Sequence, residues 1–239
     1  MARKFNDLKT DLNQQFIEEG YAELNEGVYD PGIFKAFFLA GGPGSGKSFV
    51  VKKTTGGQGL KVVNSDDVFE KMLADAGMDA TPDNIFSDKG QKIRGRAKEI
   101  TKKRQTNFIQ GRLGLIIDGT GKDFAKIQKQ AAALKQLGYD CYMIFVNTSL
   151  DVAQERNLQR DRTLPADEVT QMWNGVQQNM GVFQRFFGNR NFLIVDNNVA
   201  KEDVFAKVSK RITKLVKEPV RNYVAKQWIA NEIEKKRRR

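Results

Sequence analysis

The 239-residue chain carries 40 Lys and Arg against 29 Asp and Glu, a formal net charge of +11, and it contains no histidine. Without an imidazole, Ser-His-Asp and Cys-His nucleophile chemistry, histidine-ligated zinc and histidine pH switches are excluded. The single cysteine, Cys141, excludes an intrachain disulfide or thiolate metal cluster, leaving carboxylates, cations, hydroxyls and backbone amides for any chemistry.

Phe5, Leu8, Leu12 and Phe16 recur at spacings of three and four, which predicts an amphipathic helix, and Tyr29-Asp30-Pro31-Gly32 reads as a turn. Residues 1–32 are therefore expected to form an N-terminal helical extension. Residues 1–16 show no apolar h-region or small-residue cleavage site. No run approaches the roughly 18 apolar residues needed to cross a bilayer, so the expectation is a cytoplasmic protein with no membrane partner. From Ile33 onward, strand-like runs at Phe34–Ala40, Leu60–Asn64, Leu113–Asp118, Cys141–Asn147 and Asn191–Asp196 alternate with helical patterns. The helices are expected at Gly46–Thr55, Asp67–Ala76, Lys89–Gly111, Asp123–Leu137, Leu150–Arg160 and Ala166–Phe187. Asp79–Asp88, which contains Pro82, reads as a connecting loop, and Gly56-Gly57-Gln58-Gly59 as a plain helix-to-strand turn. Strands separated by helices predict an α/β domain over residues 33–198, a five-stranded parallel sheet in a three-layer sandwich with helices on both faces. After Asn198 the pattern is helical through Val216, pauses at Pro219 and resumes to Lys235-Lys236-Arg237-Arg238-Arg239. Residues 199–239 are thus expected to form a C-terminal helical extension with a basic tail. A solvated terminus, a nucleic-acid contact and docking to a protein partner all remain open for that tail.

Gly41-Gly42-Pro43-Gly44-Ser45-Gly46-Lys47-Ser48 fits G-x-x-x-x-G-K-[ST] between an apolar strand and a helix, the context in which this spacing makes a phosphate-binding P-loop. The glycines let backbone N–H groups curl around the phosphates of ATP, and the helix points its positive end at them. Lys47 adds a point charge and the Ser48 hydroxyl suits Mg²⁺. The fold expected is thus that of a P-loop NTPase, nucleotide-kinase-like.

Asp66 and Asp67 follow the second strand at the carboxyl edge of the sheet, where open α/β folds bind ligands. Asp66 is placed to accept a proton from an attacking hydroxyl, with Asp67 as a cap or first-turn residue; both serving only as caps is the alternative. Asp118, ending the third strand ahead of Gly119-Thr120, suits a metal shell or acceptor site, with Thr120 available to cap the next helix. Arg156, Arg160 and Arg162 precede Pro165, and the first two, one helical turn apart, would close over a triphosphate.

Together these segments resemble the small P-loop kinases that include bacteriophage polynucleotide 5′-hydroxyl kinases and zeta-toxin kinases, over roughly Phe34 to Asn198. Val63-Asn64-Ser65-Asp66-Asp67 is similar to the post-strand motif of the polynucleotide kinases, a resemblance that implies a general base at Asp66. Arg156-Asn157-Leu158-Gln159-Arg160, with Thr163 and Pro165, resembles their arginine lid. Leu115-Ile116-Ile117-Asp118-Gly119-Thr120-Gly121 and Leu137-Gly138-Tyr139 resemble the zeta-toxin group, which commonly has Glu at the position of Asp118. The roughly 40 residues after Asn198 cannot hold the phosphatase domain that many 5′-kinases carry. Phe69–Arg112, rich in Lys and Arg, matches neither family residue by residue.

The expectation is an ATP- and Mg²⁺-dependent kinase acting on a hydroxyl, with a polynucleotide or nucleotide 5′-OH preferred. Its catalytic residues would be Lys47, Asp66, Arg156 and Arg160, its ATP cradle Gly41–Ser48, its acceptor contacts Asp66, Asp118 and Thr120, and its Mg²⁺ ligands Ser48 and Asp118. Alternatives are a zeta-toxin-like nucleotide-sugar kinase and a non-catalytic ATP-binding assembly protein whose terminal helices dock on a partner.

Overall fold

The computed structural model describes residues 27–159, 163–199 and 201–238. Its five strands are β1 (Lys35–Ala40), β2 (Lys61–Val63), β3 (Leu115–Ile117), β4 (Asp140–Asn147) and β5 (Phe192–Asp196). They pair in the order β2-β3-β1-β4-β5, every pairing parallel. β1 thus lies at the middle, β2 takes one edge, β3 fills the place between them, and β4 and β5 extend the other side. All six residues of β1 are buried, as expected of a strand covered on both faces.

The period-2 alternation of strand side chains divides the core into two layers. On one face Ala36, Phe38 and Ala40 join Leu115, Ile117, Met143 and Phe145. Helices α5 (Phe124–Gln136) and α7 (Ala166–Phe187) cover that face with Ile127, Ala131, Leu134, Val176 and Phe183, and Ala225 of α9 (Tyr223–Arg237) joins them. On the other face Phe37, Leu39, Ile116, Tyr142 and Ile144 meet Val50 and Val51 of α1 (Lys47–Thr55) and Phe205, Ile212 and Leu215 of α8 (Glu202–Lys217). Each fully buried Phe in these layers contributes about 1.5–3 kcal/mol of burial. The segment after residue 198 therefore supplies core to both layers.

Between β2 and β3 the chain leaves the sheet as a helical arm: α2 (Ser65–Asp75), α3 (Pro82–Phe86) and α4 (Asp88–Gln110). Phe69, Leu73, Ile85 and Ala97 give the arm a small core of its own. Here one expectation is corrected, because Asp79–Asp88 is not simply a loop. Thr81 caps α3 by accepting from Asn84 N, and Pro82 stands at the first helical position, where its missing N–H and fixed φ favour a helix start. Burial of Ile85 then holds the turn in place. The seam is tight at Gly90, where a Cβ would lie 2.0 Å from Asn84 O.

The remaining helix, α6 (Leu150–Leu158), stops short of the expected Arg160, with Gln159 as its C-cap. Arg160 and Arg162 lie outside the described residues, as do residues 1–26, which carry the expected N-terminal helix, and Arg239 of the tail. Helix α5 is capped by Asp123, whose carboxylate accepts from Lys126 N, and not by Thr120. Asp123 sits directly before Phe124, whereas the Thr120 hydroxyl accepts from Lys122 N inside the preceding turn. No described helix is long and apolar enough to cross a membrane.

At the foot of the sheet, opposite the ends that carry the site, Lys35 Nζ lies 3.1 Å from Asp140 Oδ2 with side-chain exposures of 1% and 7%. Asp140 also accepts from the backbone N–H groups of Arg221 and Asn222, which fixes the entry to α9. Burial pulls the Lys35 ammonium below its ordinary range, against the pull of Asp140. In the tail, Lys235 pairs with Glu232 and Arg238 with Glu234, so part of its charge is met within its own helix.

Candidate functional site

The turn from β1 into α1 is built from residues 41–46. Gly44 and Gly46 have φ of +70° and +76°, a left-handed backbone that glycine adopts without strain. At Gly44 a Cβ would sit 2.3 Å from Ala153 O, so the loop presses against α6 where no side chain fits. Gly41 N donates to Thr120 O at 2.9 Å, tying the loop to the end of β3. Asn197, past the end of β5 and 2% exposed, donates from Nδ2 to Ser45 O at 2.8 Å. Trp173 of α7 lies against Gly42 and donates its indole N–H to Thr148 O at 2.9 Å. Three strand ends and two helices thus fix a loop whose own residues supply little side-chain packing.

Helix α1 begins with no side-chain cap and no acidic residue in its first turn, so its N–H groups and positive dipole end are left for an anion. Lys47 Nζ donates to Gly41 O at 2.7 Å and to Gly42 O at 3.4 Å, which holds the ammonium over the loop. Ser48 follows, exposed at the mouth of a cavity of about 380 Å³. The cavity's polar end also holds Lys52, Asn64, Asp67 and Asp118, and its apolar wall is formed by Leu39, Val51, Leu60 and Val62.

Asn64 organises the carboxylates. Its Oδ1 caps α2 by accepting from Asp66 N at 2.8 Å. Its Nδ2 donates to Asp67 Oδ1 at 2.9 Å and to Asp118 Oδ2 at 3.1 Å, so one amide joins the ends of β2 and β3. Asp66 and Asp67 both occupy the first turn of α2, where carboxylates favour the helix dipole, and neither is the cap. Both side chains are exposed; Asp67 lines the cavity and Asp66 does not. Burial pushes the Asp118 carboxyl above its ordinary value; Lys47 opposes this, and Asp67 and Asp66 add to it. Burial, then the neighbouring Asp66, raises Asp67 in the same direction. Anionic oxygens crowded next to a hydroxyl favour a hard cation. Among the described residues no cluster of three or more carboxylate, imidazole or thiol ligands occurs. That donor set suits Mg²⁺, which takes one or two protein oxygens and fills its shell with water and phosphate.

Arg156 of α6 reaches the loop from the opposite side. Its Nη2 donates to Asn198 O at 3.2 Å, and its Nη1, buried without an acceptor, lies 3.9 Å from where a Gly46 Cβ would stand. Ser45 Oγ and Asn197 Oδ1 are likewise buried without partners around the same turn. Asn157 ties the end of α6 to the segment before α7, donating from Nδ2 to Leu164 O at 2.8 Å and accepting from Leu164 N at 3.1 Å. Thr120 is exposed at the top of β3, with Asn179 donating to the carbonyls of Gly121 and Lys122 just beyond it.

Lys47, Ser48, Asp118 and Asp67 therefore converge at one end of the sheet, with Asp66, Thr120 and Arg156 around them. Sequence reasoning missed Asn64, Asn157, Trp173 and Asn197. Asn64 had a signal, as a favoured N-cap type directly before two first-turn carboxylates. The partners of Trp173 and Asn197 are distant in the chain, and Asn157 meets Leu164 seven residues on, across the turn after α6.

A family model described as AAA domain matches residues 37–180. No curated protein matches the sequence. Among solved structures, a candidate kinase from Chloroflexus aurantiacus aligns with TM-score 0.54 and 16% identity, covering 76% of this chain and 98% of that one. A structure from the PezAT toxin-antitoxin system of Streptococcus pneumoniae aligns with TM-score 0.53 and 13% identity, covering 91% and 98%. The AvrRxo1-ORF1:-ORF2 structure with ATP aligns with TM-score 0.52 and 17% identity, covering 84% and 72%. At these identities the likeness is one of fold.

Proposed function

The chain belongs to the AAA domain family and has the P-loop NTPase fold, and from that premise we propose that it is an ATP- and Mg²⁺-dependent kinase. It transfers the γ-phosphoryl group to a hydroxyl, and its preferred acceptor is the 5′-OH of a polynucleotide or nucleotide. The observation that carries this reading is the cavity in which Ser48 of the phosphate loop meets Asp67 and Asp118. It sets the hydroxyl that ends the phosphate loop beside two carboxylates, and Asp66, the proposed base, is the chain neighbour of one of them.

The loop amides and the N-terminus of α1 bind the β- and γ-phosphates, and Lys47 neutralises them. Ser48 and Asp118 would hold Mg²⁺, which would offset the negative charge of the phosphates. Asp66 takes the proton of the acceptor hydroxyl as its oxygen forms the new O–P bond. The bond from the γ-phosphorus to the β–γ bridging oxygen breaks, and ADP leaves. Thr120 and Asp118 position the acceptor, and Arg156 with Arg160 closes over the phosphates to offset charge that redistributes in the transition state.

The test incubates the protein with labelled ATP, Mg²⁺ and a panel of 5′-OH oligonucleotides, nucleosides, nucleotides and UDP-sugars. Label on the oligonucleotide or nucleotide is expected. Label on a UDP-sugar would replace this acceptor with the nucleotide-sugar reading, and ATP binding without transfer to anything would leave an assembly protein. In the same assay Asp66→Asn should lower turnover roughly 10²–10⁴-fold while ATP still binds. Full turnover in Asp66→Asn with loss in Asp67→Asn would move the base one residue along α2, to the carboxylate that lines the cavity.

A further inference from the structure

The helical arm carries a cation that nothing in the site described above uses. Arg94 of α4 lays its guanidinium over Phe69 of α2, 4.6 Å from the ring centroid. Its Nε and Nη2 are buried, and no acceptor among the described residues reaches either of them. A guanidinium does not shed its proton to relieve this, so two donor nitrogens of a half-buried cation are held out of water without an acceptor. The two unpartnered atoms share one edge of the guanidinium. That edge is the fork that grips two oxygens of a phosphate or carboxylate at once.

The position of the fork points to the acceptor. Phe69 lies one helical turn beyond Asp66, so Arg94 sits on the carboxylate side of the cavity and away from the phosphate loop. Along α4, Lys98 and Lys102 follow Arg94 at successive intervals of four residues, both exposed. Residues so spaced share a face, each about 6 Å further along the helix. The arm's small core is separate from both layers of the sheet, so the two arm helices that cover the fork can part without unpacking either face.

We propose that Arg94, Lys98 and Lys102 form an anion track for the acceptor, with the Arg94 fork gripping the first backbone phosphate of a single-stranded nucleic acid and the lysines the phosphates that follow. As an acceptor site it rests on the kinase reading; as a binding site it can be read without it.

The experiment measures binding of a short single-stranded 5′-hydroxyl oligonucleotide to the full chain, by fluorescence anisotropy over a salt series and with no ATP present. Arg94→Met keeps a stem on Phe69 and removes the charge. It should weaken binding roughly tenfold and flatten the log–log salt slope by about 0.7 for each phosphate that is no longer neutralised. Arg94→Lys should keep the slope but not the affinity, because the charge remains and the fork does not. Lys98→Gln with Lys102→Gln should flatten the slope further. The melting temperature of Arg94→Met should hold or rise, since two buried donors without acceptors have been removed. Wild-type affinity and slope in Arg94→Met overturn the track and leave the kinase reading intact. A lower melting temperature with unchanged affinity assigns Arg94 to packing alone. Arg94-dependent binding in a protein that phosphorylates nothing upholds the track and rejects the kinase reading.

Discussion

Lys47 is held over the loop by two backbone carbonyls and packs into neither layer of the core. Lys47→Ala should therefore fold normally and lose the thermal stabilisation that ATP gives the wild type by binding only the folded state. Full ATP-induced stabilisation in the folded variant would remove this lysine from the nucleotide site. Asp118 makes the converse prediction about stability. Its folded pKa lies above the ordinary carboxylate value of about 3.9, mainly because it is buried, with Asp67 and Asp66 adding to the shift. The folded state then binds more protons than the unfolded one in this window, and stability falls as pH rises from the ordinary value through the folded one. Asp118→Asn should melt higher than wild type at neutral pH without ligand, and its stability should depend less on pH just above the ordinary carboxylate value. Chemical denaturation across that range is the check, and a variant that is less stable at every pH would contradict the burial argument.

At the level of elements, α6 and the β5 end act as two sides of the loop. Arg156 reaches from α6 to Asn198 O, and Asn157 ties the end of α6 to Leu164 ahead of α7. Arg156→Ala should lower the catalytic rate more than it weakens ATP binding, as expected of a cation that meets charge in the transition state. Equal losses in rate and binding would mean plain phosphate attraction, and no loss would leave Arg156 as a tether to β5. The arm between β2 and β3 has different mechanics. Its core of four buried residues, with Val68, Met72, Met78 and Ile93 packed against them, is separate from both layers of the sheet.

Across the whole molecule, the two ends of the sheet do different work. The carboxyl ends collect polar groups around a loop of glycines, and the opposite end is locked by the buried Lys35–Asp140 pair and its links to Arg221 and Asn222. Asp140→Ala should cost about 3–5 kcal/mol, because it strands a buried ammonium and leaves two backbone N–H groups without their acceptor. Urea denaturation would measure it, and a loss below about 1 kcal/mol would show that the pair is solvated in the working protein. ATP binding should survive where the variant stays folded, since the pair lies at the far end from the phosphate loop.

The local sequence determined the elements and the phosphate loop. Five apolar runs separated by helical patterns specify a parallel sheet, and glycines at fixed offsets before Lys47 and Ser48 specify the loop, because both depend on neighbours only a few residues away. Helix α3 was legible too, in Thr81 and Pro82, though a proline inside a polar stretch reads first as a turn. What only the tertiary structure decided was which residues meet. Asn64 reaches Asp118 across 54 positions, and Asn197 holds Ser45 across 152. The neighbour of Asp66, not Asp66 itself, faces the cavity because the start of α2 at Ser65 sets the rotation of the first turn. The unpartnered edge of Arg94 has no sequence signature at all. An arginine in a basic helix reads as solvated surface until the packing of Phe69 against it shows that one edge of its guanidinium has been taken out of water.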